Sequence, residues 1–387
     1  MFASIAILFL ASLYLLCHYK SGRQQPHVPA CKSSGHDCVQ WNLLNMTVQV
    51  LSDRRTCRDP NILLLILVTS HANNVKLRQK LRRVIPLEDL EKLKMRRLFL
   101  VGNPINPNSA GDHKNFDDLR KEQDRFNDLV MGDFNESYRN LTYKHMMGLS
   151  WAITYCPQAK LVLKQDDDIL VDYYQISQLA HMKPIRAEEP SWNIQRMLFS
   201  SSNHFGKDKF ILGKSLNSMK VIRDRNSKWF VQKSEYPADV YPSFVSGWGY
   251  LTTVEAIRSM LERSSPKEYF WIDDVFVTGT LRNRADVTIL DMSSIFTHYK
   301  GHILCCLFPK KRTRQRWCDF VVGTSNGDFQ ILHDFYEHSK FCWASGSCKW
   351  RTTNELLNKT CVVTQLSDTR PEDVTRKGSA VWRQISL

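Results

Sequence analysis

The chain has 387 residues, 43% of them hydrophobic, 11% aromatic and 24% charged, a composition that supports a large buried core and excludes disorder as the main theme. Fifty-three Lys and Arg against thirty-nine Asp and Glu leave a net charge of +14, which suits contact with polyphosphates, anionic headgroups or nucleic acid without choosing among them. No fixed-period repeat or single-residue bias is present, which excludes collagen-like, solenoid and low-complexity architectures.

The first element in chain order is an apolar run from Phe2 to Leu16 that continues uncharged through Tyr19 and ends at Lys20 and Arg23. At about eighteen residues it meets the lower limit for crossing a bilayer. It lacks a basic leader and a small-x-small cleavage site, so residues 1–19 read as an uncleaved transmembrane signal anchor rather than a cleaved signal peptide. By the positive-inside rule Lys20 and Arg23 belong on the cytoplasmic side. That conflicts with the remainder of the chain, where ten further cysteines and four N-x-Ser/Thr sequons, at Asn45, Asn135, Asn140 and Asn358, point to an oxidising lumenal compartment. Cys305, Cys306, Cys318, Cys342, Cys348 and Cys361 lack paired CxxC spacing, which favours disulfides over a zinc site.

Residues 20–59 are polar, carry Pro26, Pro29 and Gly35, and read as a stem. A folded domain is expected from residue 60 to 300. Ile62 to Val68 (ILLLILV) has the continuous apolar pattern of a strand buried on both faces. A basic helix is predicted over Asn74 to Val84, a strand over Arg97 to Gly102, helices over Phe116 to Asp128 and Leu141 to Tyr155, and a strand over Lys160 to Lys164. Strands interleaved with helices imply an α/β fold with a mostly parallel central sheet, which places ligands at the carboxyl ends of its strands.

Asp166, Asp167 and Asp168 stand at such an end, immediately after KLVLK and before the apolar Ile169, Leu170 and Val171. Three adjacent carboxylates repel one another, and burying them requires a cation or donors. A hard divalent ion held by alternate aspartates and by substrate phosphates meets that need, Mn²⁺ being the natural candidate in a lumenal protein. The bland alternative is a solvated acidic turn.

Read in order, LLLILVTS, NVKLRQKLR, RLFLVG, DFNESYRNLTYK, YCPQAKLVLKQDDDILV, KWFVQKSEYPADVYPSFVSGWGYLTT and WIDDVFVTG resemble the successive motifs of the beta-1,3-galactosyltransferase family over about Ile62 to His298. The resemblance implies a single-pass type II Golgi membrane enzyme with a lumenal GT-A catalytic domain, and this overrides the charge asymmetry at Lys20 and Arg23. It implies transfer of galactose or N-acetylglucosamine from a UDP-sugar, with Mn²⁺ and inversion, in β1,3 linkage to a glycan on glycoprotein or glycolipid. Carried over by position, Asp168 matches the metal-coordinating aspartate, Asp166 and Asp167 complete the motif around ion and ribose, Asp274 matches the proposed catalytic base, and His298 matches a late metal ligand. The chemistry calls for the same parts: a carboxylate to take the proton of the attacking hydroxyl, and a divalent ion to stabilise charge on the departing diphosphate.

Arg78 and Arg82 share one helical face at a spacing of four, and two readings stand open, nucleotide diphosphate contact and a solvated basic face. Lys144 reads as structural, and Asp133, Ser137, Tyr138, Asn140 and Thr142 as a turn and helix cap. YPSFVSGWGY resembles the family's acceptor-side loop, with Gly247 permitting close approach and Trp248 either stacking on a sugar or packing in the core. Trp229 and Tyr236 read as structural. Departures from the family pattern are Val84, Ile85 and Pro86 after the arginine helix, Val245 in place of a cysteine, and Asp273 in place of a glutamate, with Gly279 one residue late. A catalytically silent lumenal relative that binds glycans is the alternative function. Nucleic acid is excluded as a partner, because no basic run interleaved with aromatics or known module is present. Residues 301–387, rich in Cys and Trp, read as an extension packed on the catalytic domain.

Overall fold

The computed structural model describes residues 37–104, 112–181, 209–308, 315–352 and 354–363. The expected anchor at 1–19 lies outside them, and among the described residues no helix is long and apolar enough to cross a membrane.

Nine strands form one sheet in the order β1-β2-β5-β4-β3-β6-β9-β8-β10. In chain order these are β1 Asp37–Leu43, β2 Met46–Ser52, β3 Leu64–Thr69, β4 Met95–Asn103, β5 Leu129–Asn135, β6 Leu161–Asp166, β8 Phe210–Leu216, β9 Phe244–Thr252 and β10 Thr288–Asp291. A short β7, Ile169–Val171, pairs antiparallel with β11, Val322–Thr324. Strands β5, β4, β3 and β6 are parallel neighbours, and only β2 and β9 run against the rest of the large sheet.

Alternation along β3 explains the two cores. Leu64, Ile66 and Val68 join one apolar cluster, while Leu65 and Leu67 join the other, as a period of two dictates for a strand covered on both faces. On the first face lie α1 (Val75–Val84), α2 (Leu87–Lys92), α5 (Tyr173–His181) and α8 (Phe329–Ser345). On the second lie α4 (Leu141–Tyr155) and α6 (Val254–Glu262). Further helices among the described residues include α3 (Asp112–Phe126), α7 (Lys300–Leu307) and α9 (Leu357–Thr360). Each fully buried aliphatic side chain contributes roughly 1.5–3 kcal/mol, so the unbroken LLILV run of β3 anchors both layers.

Two boundaries differ from the sequence reading. Residues 37–52, assigned to the stem, form the β1–β2 hairpin, turned at Leu44 (φ 56°) and joined to the sheet through Val50–Gly132 and Leu51–Met131. The hairpin is an edge element in which Val48 and Val50 are buried while Asn42 and Thr47 are exposed, and its short alternating pattern reads as polar by composition. The described residues from Gly301 onward, expected as an extension packed on the catalytic domain, share its core. Ile303, Trp317, Phe335 and Tyr336 belong to the same core as β3 and β4, and Asp172, buried before α5, accepts from Ser339 on α8 at 2.7 Å.

The cysteines of this region form Cys305–Cys361, Cys306–Cys318 and Cys342–Cys348, and Cys57–Cys156 ties the entry of β3 to the end of α4.

Candidate functional site

Strand β6 carries its polar residues at the carboxyl end, as the α/β architecture requires of a ligand site. Lys164 is 2% exposed inside this strand. Its ammonium donates to Asp166 Oδ1 at 2.9 Å and to the Gly247 carbonyl at 2.6 Å, and lies 4.0 Å from Asp273. A charge inside an apolar strand was the sequence signal for this residue, which the sequence reading passed over.

The three aspartates divide by alternation. Asp167 turns inward, where its Oδ2 accepts from Ser70 Oγ at 2.7 Å and from Asn74 Nδ2 at 3.0 Å. It thereby serves as a strut between β6 and the start of α1. Asp166 and Asp168 are only half-buried. Burial pushes Asp166 up to about 6 against the pull of Lys164, and burial with repulsion from Asp166 and Asp167 pushes Asp168 up to about 7. Crowded carboxylates with a raised affinity for positive charge are the donor chemistry of a hard divalent ion that also takes oxygens from its substrate.

Arg78 and Arg82 do not offer their guanidinium groups to a ligand. Arg78 is wholly buried, and all five of its N–H groups are engaged, with Glu122, Ser70 Oγ and the carbonyls of His71 and Ala72. Arg82 pairs with Glu122 at 2.8 Å and Asp128 at 2.6 Å. The spacing of four does put both on one face, but that face meets acidic residues of α3 and the turn after it. Arg78 acts behind the site, through Ser70 to Asp167.

Asp274 sits at the mouth of the sheet. The segment Val275–Leu281 winds as a π-helix, and Asp274 caps it: Oδ1 accepts from the Val275 amide at 2.8 Å, and Oδ2 accepts from the Gly247 amide on β9 at 3.3 Å. A Cβ on Gly247 would stand 3.4 Å from Asp274 Cβ and Oδ2, an ordinary contact distance. Burial, then repulsion from Asp273, raises the proton affinity of Asp274. Burial opposes ionisation of Asp273 as well, but Lys164 and His145 outweigh it and hold Asp273 below the ordinary carboxylate range. Two adjacent carboxyls are thereby driven apart in acidity, the pattern of an acid–base pair with separate tasks.

Trp248 and the acceptor-side loop are corrected. Phe244–Thr252 is a strand, β9, and Trp248 is 7% exposed, packed on Phe296 and on His298 at 4.6 Å. His298 has Nδ1 3.0 Å from Lys214 Nζ, and burial followed by the Lys214 charge pushes it down to about 4, which keeps the imidazole neutral. Neutral imidazole is the ligand form. Among the described residues, however, no three His, Cys, Asp or Glu side chains converge as a preformed metal cage, so Asp166, Asp168 and His298 are not brought together as one.

The solvent-facing aromatic group beside Asp274 is a different one. Tyr138 is 42% exposed, its hydroxyl accepts from Trp229 Nε1 at 2.9 Å, and its ring meets Trp271 edge-on. The ammonium of Lys228 lies 4.4 Å from the Trp229 ring centre. Burial, followed by the charges of Asp273 and Asp274, holds the Tyr138 hydroxyl well above its ordinary pKa. Sequence reading assigned these aromatics to structure because nothing local marks which ring faces solvent. Asn140 makes no side-chain cap to α4, its Nδ2 donating to the Asn135 carbonyl instead, while Thr142 donates to Phe270 O. Lys144 is buried between Glu136 and the Ser70 carbonyl, a structural position.

Comparison with known proteins supplies the family. A family model described as Galactosyltransferase matches residues 76–293, which include Arg78, the aspartate triplet, β9 and Asp274. The chain is 32% identical over 268 residues to human beta-1,3-galactosyltransferase 5, covering 66% of this chain and 77% of that protein. It is 27% identical over 295 residues to human lactosylceramide 1,3-N-acetyl-beta-D-glucosaminyltransferase, covering 75% of this chain and 69% of the relative. Taken with the half-buried aspartates at the end of β6 and the pinned carboxylate of Asp274, these matches show that the chain belongs to the galactosyltransferase family and is a glycosyltransferase.

Proposed function

We propose that the protein transfers galactose or N-acetylglucosamine from a UDP-sugar to a glycan acceptor in β1,3 linkage, by single displacement with inversion, on a GT-A-type scaffold. The observation that carries this reading is Asp274, held by the Gly247 and Val275 amides with raised proton affinity, at the same sheet end as Asp166 and Asp168. A sugar hydroxyl is a weak nucleophile, and a carboxylate whose proton affinity approaches neutrality is suited to take its proton as it attacks the anomeric carbon. A single base with no second carboxylate acting as nucleophile gives inversion.

Asp166 and Asp168 would hold Mn²⁺, the half-buried pair fitting an ion that takes the rest of its oxygens from a diphosphate, with His298 as a third ligand only if its ring turns toward them. When bound, the ion supplies charge stabilisation to the leaving diphosphate. Lys164 orients Asp166 from behind and offsets part of the burial that raises its proton affinity. On the acceptor side, the exposed face of Tyr138 with Trp229 suits the C–H face of a sugar. Tyr138→Ala is expected to raise the acceptor KM about tenfold, in proportion to the loss of one aromatic contact. The lumenal Golgi location, the type II anchor at 1–19 and glycoprotein or glycolipid acceptors belong to the same proposal, supported by the four sequons and the disulfides.

The experiment is release of UDP from UDP-galactose, UDP-N-acetylglucosamine and UDP-N-acetylgalactosamine with a panel of sugar acceptors, with Mn²⁺ and with chelator. Chelator-sensitive turnover with one donor supports the reading and names the sugar. A folded protein that turns over no donor, yet retains glycan binding, overturns it in favour of a silent glycan-binding relative.

A further inference from the structure

Helix α4 begins alongside the segment that carries the base, and side chains join the two at each step. Tyr138 meets Trp271, Thr142 donates to Phe270 O at 2.6 Å, and one turn later His145 reaches Asp273, with Nδ1 2.9 Å from Oδ2. The other ring nitrogen of His145 lies 2.6 Å from the Tyr250 hydroxyl on β9. His145 is 1% exposed and Tyr250 equally buried, so this link crosses the interior between helix and sheet without reaching solvent.

The chain has one self-consistent proton arrangement. An ionised Asp273 only accepts, so the proton of a neutral imidazole sits on Nδ1, and Nε2 then accepts from the Tyr250 O–H. The opposite tautomer would set the Nδ1 lone pair against a carboxylate oxygen. Burial keeps His145 from taking a second proton, and Lys164, whose ammonium lies 4.0 Å from the same Oδ2, helps to keep Asp273 ionised. Asp273 is adjacent in sequence to Asp274, whose carboxylate is aimed by two backbone amides. The His145 bond therefore ties the residue that precedes Asp274 to α4 and, through Tyr250, to β9.

We infer that His145 is a positioning residue of the transfer reaction: bonded by Tyr250 on one edge and to Asp273 on the other, it holds the segment that aims Asp274 at the acceptor hydroxyl. The inference rests on the reading of Asp274 as the base. It places one determinant of catalytic rate on α4, outside the acidic turn and the aromatic mouth.

The test compares His145→Leu, His145→Gln, Tyr250→Phe and Asp274→Asn in the full-length chain, with UDP-galactose and UDP-N-acetylglucosamine as donors and thermal unfolding as a check on folding. His145→Leu is expected to lower kcat about 100-fold, the scale of a misplaced catalytic group, with the donor KM unchanged. His145→Gln, whose amide can still donate to Asp273, should recover at least tenfold of that loss, about the worth of one hydrogen bond. Tyr250→Phe, which removes one hydroxyl from a buried ring, should lower kcat about tenfold and serves if His145→Leu does not fold. Wild-type kcat in a folded His145→Leu or Tyr250→Phe protein, or a loss confined to KM, overturns the inference. Asp274→Asn separates the two levels: its retaining activity overturns the base assignment, whereas an inactive Asp274→Asn beside a fully active His145→Leu overturns the role of His145 alone.

Discussion

Asp274 and Trp248 show how far one side chain's surroundings decide its task. With its proton affinity raised to about 7 by burial and by Asp273, Asp274 accepts a proton only when ionised. The transfer rate should therefore be low at acid pH and rise as pH increases through about 7, which a pH profile of kcat/KM measures. Asp274→Asn keeps one acceptor oxygen and so only one of the two amide contacts, and should lose at least about 100-fold in kcat, the usual share of general base catalysis, in a protein whose folding is checked by thermal unfolding. Trp248 stands two positions from the Ser246 that precedes Gly247, but its ring is packed on Phe296 and His298. Trp248→Ala should cost about 3–5 kcal/mol of stability in denaturant titration, as for other large-to-small core changes.

Helix α1 illustrates the element scale. Its basic face looks ready for phosphate in isolation, yet Arg78 and Arg82 meet Glu122 and Asp128, and Arg78 reaches through Ser70 to the strut at Asp167. Replacing Arg78 with Met would leave Glu122 buried without its strongest partner, at a cost of about 3–5 kcal/mol. Replacing Glu122 with Leu in the same chain should restore much of that loss, and paired denaturation curves decide it. Helix α4 works by the same logic on the other face of the sheet. Thr142 and His145 look toward the segment with the base, while Met146, Leu149 and Trp151 fill the core.

Across the whole molecule, segments far apart in sequence close around one sheet end. The C-terminal part contributes β11 and α8 to the core beneath β7, and Asp172 and Ser339 bond across it. A chain ending at Lys300 would expose Ile303's neighbours, leave β7 without its partner and leave Asp172 short of a donor, so it is expected to yield no soluble folded protein on expression. The Cys57–Cys156 bond closes a sequence separation of 99 residues. Loop-closure entropy values such a link at about 4.7 kcal/mol, so the Cys57→Ala, Cys156→Ala double variant should lose stability on that order, read from the shift in its unfolding midpoint.

The buried strand at Ile62 to Val68, the alternation of strands with helices and the acidic turn after KLVLK were legible in the linear chain, because each rests on local periodicity or on charge placed where burial is costly. The same holds for the family motifs, which need only residue identity and order. Partnership was not legible. Whether Arg78 faces phosphate or Glu122, whether Trp248 or Tyr138 shows its ring to solvent, and whether the hairpin at 37–52 is stem or sheet all depend on what long-range folding brings alongside. Asp166 and Asp167 are neighbours of one chemistry, and a single reversal of side-chain direction gives one to the cleft and the other to Ser70 and Asn74. His145 is the clearest case: an unremarked residue in an apolar helix becomes part of the site only because Tyr250 and Asp273, more than a hundred residues away, close on its two edges.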